Sequence, residues 1–231
     1  MKKLLTILTP LTLMGLAGVT PAQAAIVAGW NHFNASTATY PRAADTVGAN
    51  ITSTGLDTAG ITRVSNNTSF RLGGSTNPWN TTSTVSTNQY VEFAVQPGAG
   101  FQVDFTNLQL NASGSFTLGV LDLVLRSSVD GFTNNLGTTV SLTTSLNTYS
   151  FDLSSLAPQT GPVQFRLYGL NASGLNVWFI ANNSANVAGG GFVALNGDIT
   201  ATPTVSTPEP SGIVGLIAVG ALGAASLRRR G

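Results

Sequence analysis

The chain has 231 residues, no cysteine, one histidine, only 8% charged residues and a formal net charge of +1. The absence of cysteine excludes disulfide bonds, thiol catalysis and cysteine-ligated metal centres. Between Ala25 and Thr207 there are five arginines, no lysine and eight acidic residues, which give a net charge of −3. This part therefore lacks the basic patch that binds phosphates, and nucleic acid is not expected as a partner.

The first 24 residues have the three parts of a secretory signal peptide. Two lysines precede an apolar stretch from Leu4 to Val19, and Ala22, Gln23 and Ala24 form a small-x-small cleavage site. We expect export through the Sec translocon and cleavage between Ala24 and Ala25. The mature chain then starts at Ala25.

A second apolar segment lies at the other end of the chain. A linker at 204–211 contains Pro-Glu-Pro, an uncharged run follows over 212–227, and 228–231 form a basic tail. As a helix the run is about 24 Å long, slightly shorter than a hydrocarbon core of about 30 Å. A helix packed inside the globular domain is the alternative, but the tail arginines favour a transmembrane helix with its end in the cytoplasm.

This C-terminal pattern resembles the PEP-CTERM sorting signal of Gram-negative bacteria that make exopolysaccharide. The matching residues are the tripeptide and the basic cluster, Pro208, Glu209, Pro210, Arg228, Arg229 and Arg230. The resemblance implies that an exosortase recognises the tail and removes it after transient insertion into the inner membrane. The mature protein is then expected at the cell surface or in the extracellular matrix, with exopolysaccharide as a partner.

Residues 25–203 show the alternation of apolar and polar residues that is typical of half-buried strands. The clearest runs are "QYVEFAVQ", "FQVDFTNLQL", "YSFDLSSL" and "VQFRLYG". Turn-rich pieces such as "QPGAG" and "VDGF" separate strands, and no helical period is sustained. The prediction is one all-β ectodomain over 25–203, an antiparallel β-sandwich or jelly roll.

Two pieces of this ectodomain, "RSSVDGF" and "VQFRLYG", resemble core strands of galactose-binding-like jelly rolls. In those domains a strand runs into a Ser-x-Asp-Gly turn and a later strand carries an arginine. From Asn88 onwards, the order of the strands is also similar to a recurring ectodomain of PEP-CTERM proteins. The resemblance implies a structural or glycan-binding component of the matrix.

Few residues suit catalysis. His32 is the only histidine, so a Ser-His-Asp arrangement or a zinc site would depend on it alone, and a structural role is expected. Glycoside hydrolysis needs two carboxyl groups at one bond, and Glu92 would have to pair with an aspartate. Because Glu92 and Asp122 alternate with core residues, both are expected on outer strand faces. We expect no enzyme, with an extracellular glycan hydrolase or lyase as the alternative.

Asp130 in "SVDGF" and Asp198 in "NGDI" are candidate ligands of a structural calcium ion, which takes six to eight oxygens. For Asp130 the simpler expectation is that its carboxylate stabilises its own turn. No other cofactor is indicated.

The three tryptophans are candidates for stacking on sugar rings. Trp79 is the best of them, because Pro78 and the surrounding Asn and Thr predict a loop, although a tryptophan that anchors its loop is the commoner case. Trp178, in "LNVWFIAN", is expected in the core, and Trp30 is the third candidate.

The pentapeptide "LNASG" occurs twice, at 110–114 and at 170–174. An internal duplication is one explanation. Asn and Gly are favoured in tight turns, so two independent hairpin turns are the expectation.

Overall fold

The computed structural model describes residues 25–30, 40–64, 69–73, 79–114, 121–172, 178–181 and 193–203. The predicted signal peptide, linker, transmembrane helix and basic tail lie outside these ranges, as does His32. Within them, the structure contains no helix with the length and apolar character needed to cross a membrane.

The regular secondary structure of the described part of the chain is almost entirely β-strand. They are β1 (Ala25–Trp30), β2 (Thr46–Val47), β3 (Ile51–Ser53), β4 (Asp57–Ala59), β5 (Arg63–Val64), β6 (Ser69–Leu72), β7 (Tyr90–Pro97), β8 (Phe101–Ser113), β9 (Leu121–Ser127), β10 (Leu136–Leu142), β11 (Asn147–Asp152), β12 (Val163–Leu170), β13 (Trp178–Ala181) and β14 (Val193–Ala201). A single turn of 3-10 helix, Ser128–Asp130, follows β9.

The strands form two antiparallel sheets. The larger sheet has eight strands in the order β2-β1-β14-β8-β13-β6-β5, and β11 also pairs with β8. The smaller sheet has six strands in the order β10-β9-β12-β7-β3, and β4 also pairs with β7. Apolar side chains from both sheets share one buried cluster, so the sheets pack face to face. The prediction of an all-β antiparallel sandwich is confirmed.

The alternation in the sequence predicts the inner faces correctly. In β7, Val91, Phe93 and Val95 are buried, and the residues between them are partly exposed. In β12, Val163 and Phe165 are buried with the same period. Each strand therefore presents one face to the core and one face outward.

Four aromatic rings join the two sheets across the core. The ring of Phe93 lies 4.9 Å from Trp30 and 5.5 Å from Phe165, measured between centroids. Phe165 also meets Phe105 edge to face at 5.2 Å. Trp30 and Phe105 come from the larger sheet and the two other rings from the smaller one. Tilted and edge-to-face pairs at these distances add to the stabilisation from burial.

Trp79 lies outside the strands but belongs to this core, which corrects its candidacy as a glycan contact and agrees with the role of a loop anchor. Its side chain is 1% exposed and packs where Gly169 of β12 has no side chain. The residues after Trp79 are held to the end of β12, because Ala172 donates its N–H to the Asn80 carbonyl at 3.0 Å and Asn171 donates to Thr82 at 3.0 Å. The polar residues that follow Trp79 therefore fix its position beside β12.

The two "LNASG" pieces differ in structure. Leu110, Asn111 and Ala112 lie inside β8 and are buried, so the first piece is strand and not the predicted turn. In the second piece Asn171 follows the end of β12 with a φ of 54°, as a turn residue. Asn is among the residues that accept this left-handed conformation.

We expect Gly169→Ala to destabilise the fold, because an added Cβ would lie 2.5 Å from Cε3 of Trp79. Overpacking of this kind costs about 1–3 kcal/mol. Gly161→Ala is the matched control, since a Cβ there meets nothing within 4 Å. Urea unfolding of the two variants measures the difference. Equal stability would contradict the placement of Trp79 against β12.

Candidate functional site

The outer face of the smaller sheet carries a row of charged side chains that crosses four strands. Asp57 of β4 is the register partner of Glu92 in β7, Glu92 is the partner of Arg166 in β12, and Arg166 is the partner of Arg126 in β9. We call these four residues the charged row. Directly opposite residues on one face of an antiparallel pair have Cβ atoms about 4.5–5.5 Å apart. The row therefore places two carboxylates beside two guanidinium groups.

The acidic half of the charged row is neutralised by arginines. Arg63 donates from Nη1 to Oδ1 of Asp57 at 2.7 Å, and Arg166 donates from Nε to Oε2 of Glu92 at 3.2 Å. Gln164 also donates from Nε2 to Oε2 of Glu92, at 2.8 Å. The side chains of Glu92 and Arg166 are 29% and 23% exposed, so a ligand can reach both.

Arg166 lies against two aromatic rings. Its guanidinium carbon is 4.2 Å from the centroid of Tyr90 and 4.1 Å from the centroid of Phe132. Partial burial by itself lowers the pKa of Arg166, but a hydrogen bond with Tyr168 and the proximity of Tyr90 and Glu92 raise it above its ordinary value. The guanidinium therefore stays charged and is held in one orientation.

Phe132 reaches Arg166 from an unusual turn. After the 3-10 helix, Gly131 and Phe132 are both left-handed, with φ of 68° and 61°. For a bulky residue such as phenylalanine this conformation is strained. Arg126 stabilises it by donating from Nη1 to the Phe132 carbonyl at 3.0 Å, while its Nε donates to Oδ1 of Asn135 at 2.8 Å. The turn thus fixes Phe132 and Arg126 together.

Asp130 closes the same turn, as the sequence predicts. Its carboxylate accepts the backbone N–H of Thr133 at 3.2 Å and that of Asn134 at 2.8 Å, and it also accepts the Asn134 side chain at 2.9 Å. Burial alone would raise the pKa of Asp130, but the hydrogen bonds from Asn134 and Thr133 lower it below its ordinary value. The turn prediction for Asp130 is confirmed.

An apolar cluster lies next to the charged row on the same face. Val124, Tyr168 and Leu170 are buried there, and Val85 and Tyr90 pack against them. Tyr90 and Tyr168 meet at 5.7 Å between ring centroids. Because Val85 belongs to the segment that follows Trp79, that segment borders the face on this side. Tyr90 and Phe132 are half-buried rings that contact Arg166 of the charged row.

A cleft of about 260 Å³ opens beside the acidic half of the row. It is lined by Pro41, Thr54, Gly55, Asp57, Glu92, Phe93, Ala94 and Gln164. Carboxylates, an amide and a hydroxyl therefore surround one small opening. Such groups supply both hydrogen-bond donors and acceptors.

The other residues predicted from the sequence lie elsewhere. Trp30 is fully buried in the core and donates from Nε1 to the Arg42 carbonyl at 3.0 Å. Asp122 is on the outer face, as expected, and accepts hydrogen bonds from Ser141 at 2.5 Å and Asn171 at 2.7 Å. Trp178 begins β13, but its side chain is outside the described part.

The calcium candidates do not form one site. Asp130 follows β9 of the smaller sheet, whereas Asp198 lies in β14 of the larger sheet, opposite Asp104 of β8. Among the residues that the structure describes, no group of three or more His, Asp or Glu side chains is arranged to hold a metal.

The sequence did not single out Asp57, Arg126 or Phe132 as site residues. Arg126 and Phe132 both occur in "RSSVDGF", and Arg166 occurs in "VQFRLYG", the two pieces that resemble jelly-roll strands. The alternation of apolar and polar residues indicates that Arg126 and Arg166 face outward. It does not indicate that the two arginines are neighbours, because that depends on the pairing of β9 with β12.

No protein-family model and no curated protein matches the chain. Solved structures of family 29 carbohydrate-binding modules are similar to it at low scores. One such module has a TM-score of 0.39 and 10% identity, over 75% of this chain and 89% of that chain. A variant complexed with mannohexaose has a TM-score of 0.38 and 11% identity, over 75% and 92%. A variant complexed with cellulohexaose has a TM-score of 0.36 and 11% identity, over 75% and 90%.

We expect Asp130→Asn to reduce stability near neutral pH and to have less effect in acid. The lowered pKa means that the Asp130 carboxylate stabilises the fold above its unfolded pKa of about 3.9, and that this stabilisation is lost as the pH falls through the lower folded value. Urea unfolding of both proteins between about pH 7 and pH 2 measures this. The difference in unfolding free energy should shrink below about pH 4; a constant difference would contradict the carboxylate's role.

Proposed function

We propose that this chain is an exported, non-catalytic glycan-binding protein, and that it binds glycan on the outer face of the smaller sheet. The observation that carries the proposal is the charged row with Tyr90 and Phe132 beside it. We call the row, these two rings and Gln164 the glycan-binding face.

The polar groups of the face suit sugar hydroxyls. A hydroxyl donates one hydrogen bond and accepts others, so it pairs with a carboxylate and with an amide or guanidinium at once. Gln164 and Arg166 both already donate hydrogen bonds to Glu92, and all three side chains are partly exposed. Side chains that are held in place before binding lose little conformational entropy when a ligand arrives.

The aromatic groups suit the apolar side of a sugar ring. The C–H face of a pyranose packs on an aromatic ring, as other apolar groups do. Phe132 is half-buried and is held by a strained turn that Asp130 and Arg126 both stabilise. Strained residues cluster at ligand sites, where the surrounding structure supports them. Phe132 is therefore the ring that we propose for sugar stacking, in place of the buried candidate Trp79.

A glycan hydrolase is the second candidate, because Asp57 and Glu92 are neighbours that line one cleft. Hydrolysis requires one carboxyl group to donate a proton to the leaving oxygen. Here both carboxylates accept hydrogen bonds from arginines, Arg63 and Arg166. Their present geometry suits hydrogen bonding to a ligand better than proton donation.

The location of the protein is proposed from its two ends. The signal peptide at 1–24 supports export, and the PEP-CTERM-like tail supports exosortase processing and delivery to the cell surface or matrix. A glycan-binding face on such a protein would meet exopolysaccharide there.

We expect Phe132→Leu to weaken polysaccharide binding about tenfold, because leucine keeps the apolar bulk and loses the flat ring. Affinity electrophoresis through gels with soluble β-glucan, xylan, galactan or polygalacturonate measures binding. Phe101→Leu is the matched control, since Phe101 is a half-buried ring of the larger sheet.

Three outcomes would contradict this proposal. Equal loss in Phe132→Leu and Phe101→Leu would mean that the site is elsewhere. No retardation by any polymer would overturn glycan binding. Release of reducing sugar that disappears in Glu92→Gln would establish the hydrolase instead.

Intact mass spectrometry of the protein from its own cells tests the sorting proposal. We expect an extracellular or surface form that lacks 1–24 and the segment after Pro210. A membrane form that retains Arg228, Arg229 and Arg230 would show that the tail is a lasting anchor and would overturn exosortase processing.

A further inference from the structure

Among the arginines whose side chains the structure describes, Arg126 is the one without an acidic partner in the described part of the chain. The structure describes the side chains of four arginines, and three of them form ion pairs: Arg42 with Asp45, Arg63 with Asp57, and Arg166 with Glu92. The hydrogen bonds that Arg126 makes within the described residues go to neutral groups, the Asn135 side chain and the Phe132 carbonyl. Its positive charge is therefore not compensated.

Arg126 also lies directly opposite another arginine. Arg166 is its register partner on the neighbouring strand, and both side chains lie on the outer face. Like charges at directly opposite positions destabilise a sheet. The carboxylate of Glu92 is on the far side of Arg166, in β7, so it does not separate the two guanidinium groups.

Both guanidinium groups are held rigidly despite this repulsion. Arg126 is fixed by two hydrogen bonds at 2.8 and 3.0 Å, and Arg166 by Glu92 and the two rings at about 4 Å. The guanidinium carbon of Arg166 lies over the rings of Tyr90 and Phe132, and the side chain is still 23% exposed, so a ligand can reach it. Two guanidinium groups on directly opposite residues of one face suit a carboxylate, which accepts a pair of parallel N–H bonds from a guanidinium.

We propose that the glycan is acidic, and that a sugar carboxylate binds between Arg126 and Arg166. This inference rests on the proposed glycan-binding function and names the ligand class, a polysaccharide that contains uronic acid. The negative carboxylate would offset the repulsion between the two arginines. Binding would therefore remove an unfavourable electrostatic energy that the free protein carries. Phe132, which contacts Arg166 and accepts a hydrogen bond from Arg126, would pack on the same sugar.

The net charge of the protein does not favour binding of an acidic polysaccharide. The body between Ala25 and Thr207 has a net charge of −3, so a polyanion is repelled over long range. At physiological salt that repulsion is screened beyond about 8 Å. An acidic polymer therefore binds only where a local arrangement of cations outweighs the overall charge.

The experiment uses polygalacturonate and the same polymer with its carboxyl groups methyl-esterified. This pair keeps the sugar backbone and removes only the negative charge. The protein used is the wild-type mature chain from Ala25 onwards, which contains the ectodomain at 25–203. Isothermal titration should show that it binds the free acid about tenfold more tightly than the methyl ester. This preference for the free acid over the methyl ester should decrease as the salt concentration is raised.

Two variants test whether Arg126 causes the preference. Arg126→Gln removes the charge, and Asn135→Asp keeps the arginine but provides a carboxylate where Arg126 Nε now meets an amide oxygen at 2.8 Å. Both should bind the two polymers equally. Arg42→Gln is the control and should keep the preference, since Arg42 lies outside the charged row and is already paired with Asp45. Asn135→Asp keeps the test valid if Arg126→Gln fails to fold.

The outcomes separate this inference from the proposed function. Equal wild-type affinity for both polymers, or tighter binding to neutral β-glucan, xylan or galactan, overturns the acidic preference and leaves glycan binding intact. A preference that survives in Arg126→Gln and Asn135→Asp overturns the assignment to this arginine pair. No binding to any of the polymers overturns both proposals.

Discussion

The contact of Phe93 and Phe165 with Trp30 and Phe105 is the constraint on which the rest of the structure depends. These rings fill the space between the sheets and fix which face of β7 and β12 turns inward. Because strand side chains alternate between the two faces, their neighbours in sequence must turn outward. Glu92 and Arg166 are on the outer face for this reason. A slip of one residue in β12 would bury the arginine and expose the core.

The outer face in turn depends on β12 being a central strand. It pairs with β7 on one edge and with β9 on the other, so Arg166 has Glu92 on one side and Arg126 on the other. The turn after β9 then brings Phe132 over Arg166. One strand thus organises the ion pair, the arginine pair and the aromatic contact. The strained turn at Phe132 is supported by Arg126 of the same face, so the turn and the charged row stabilise each other.

Two comparisons within the chain show why local sequence was not enough. "LNASG" forms strand at 110–112 and a turn at Asn171, because β11 and β14 pair with β8 along the first copy. Trp79 has the polar neighbours of an exposed loop, yet it fills the space that Gly169 leaves on β12. In both cases a partner distant in sequence decided the conformation. Propensity describes only the local part of the free energy, and tertiary packing can override it.

By itself, the sequence determined the all-β class, the inward residues of β7 and β12, the inward Val103 and Phe105 of β8, the outward position of Glu92 and the turn that Asp130 closes. These are local properties, since a two-residue period and a hydrogen-bonded turn are both readable within a few residues. Only the tertiary structure decided that Asp57, Glu92, Arg166 and Arg126 share one row. These residues lie on four strands that are far apart in the chain, and their order in the sheet follows from packing over the whole core. The site is therefore a product of strand pairing, which no single segment encodes.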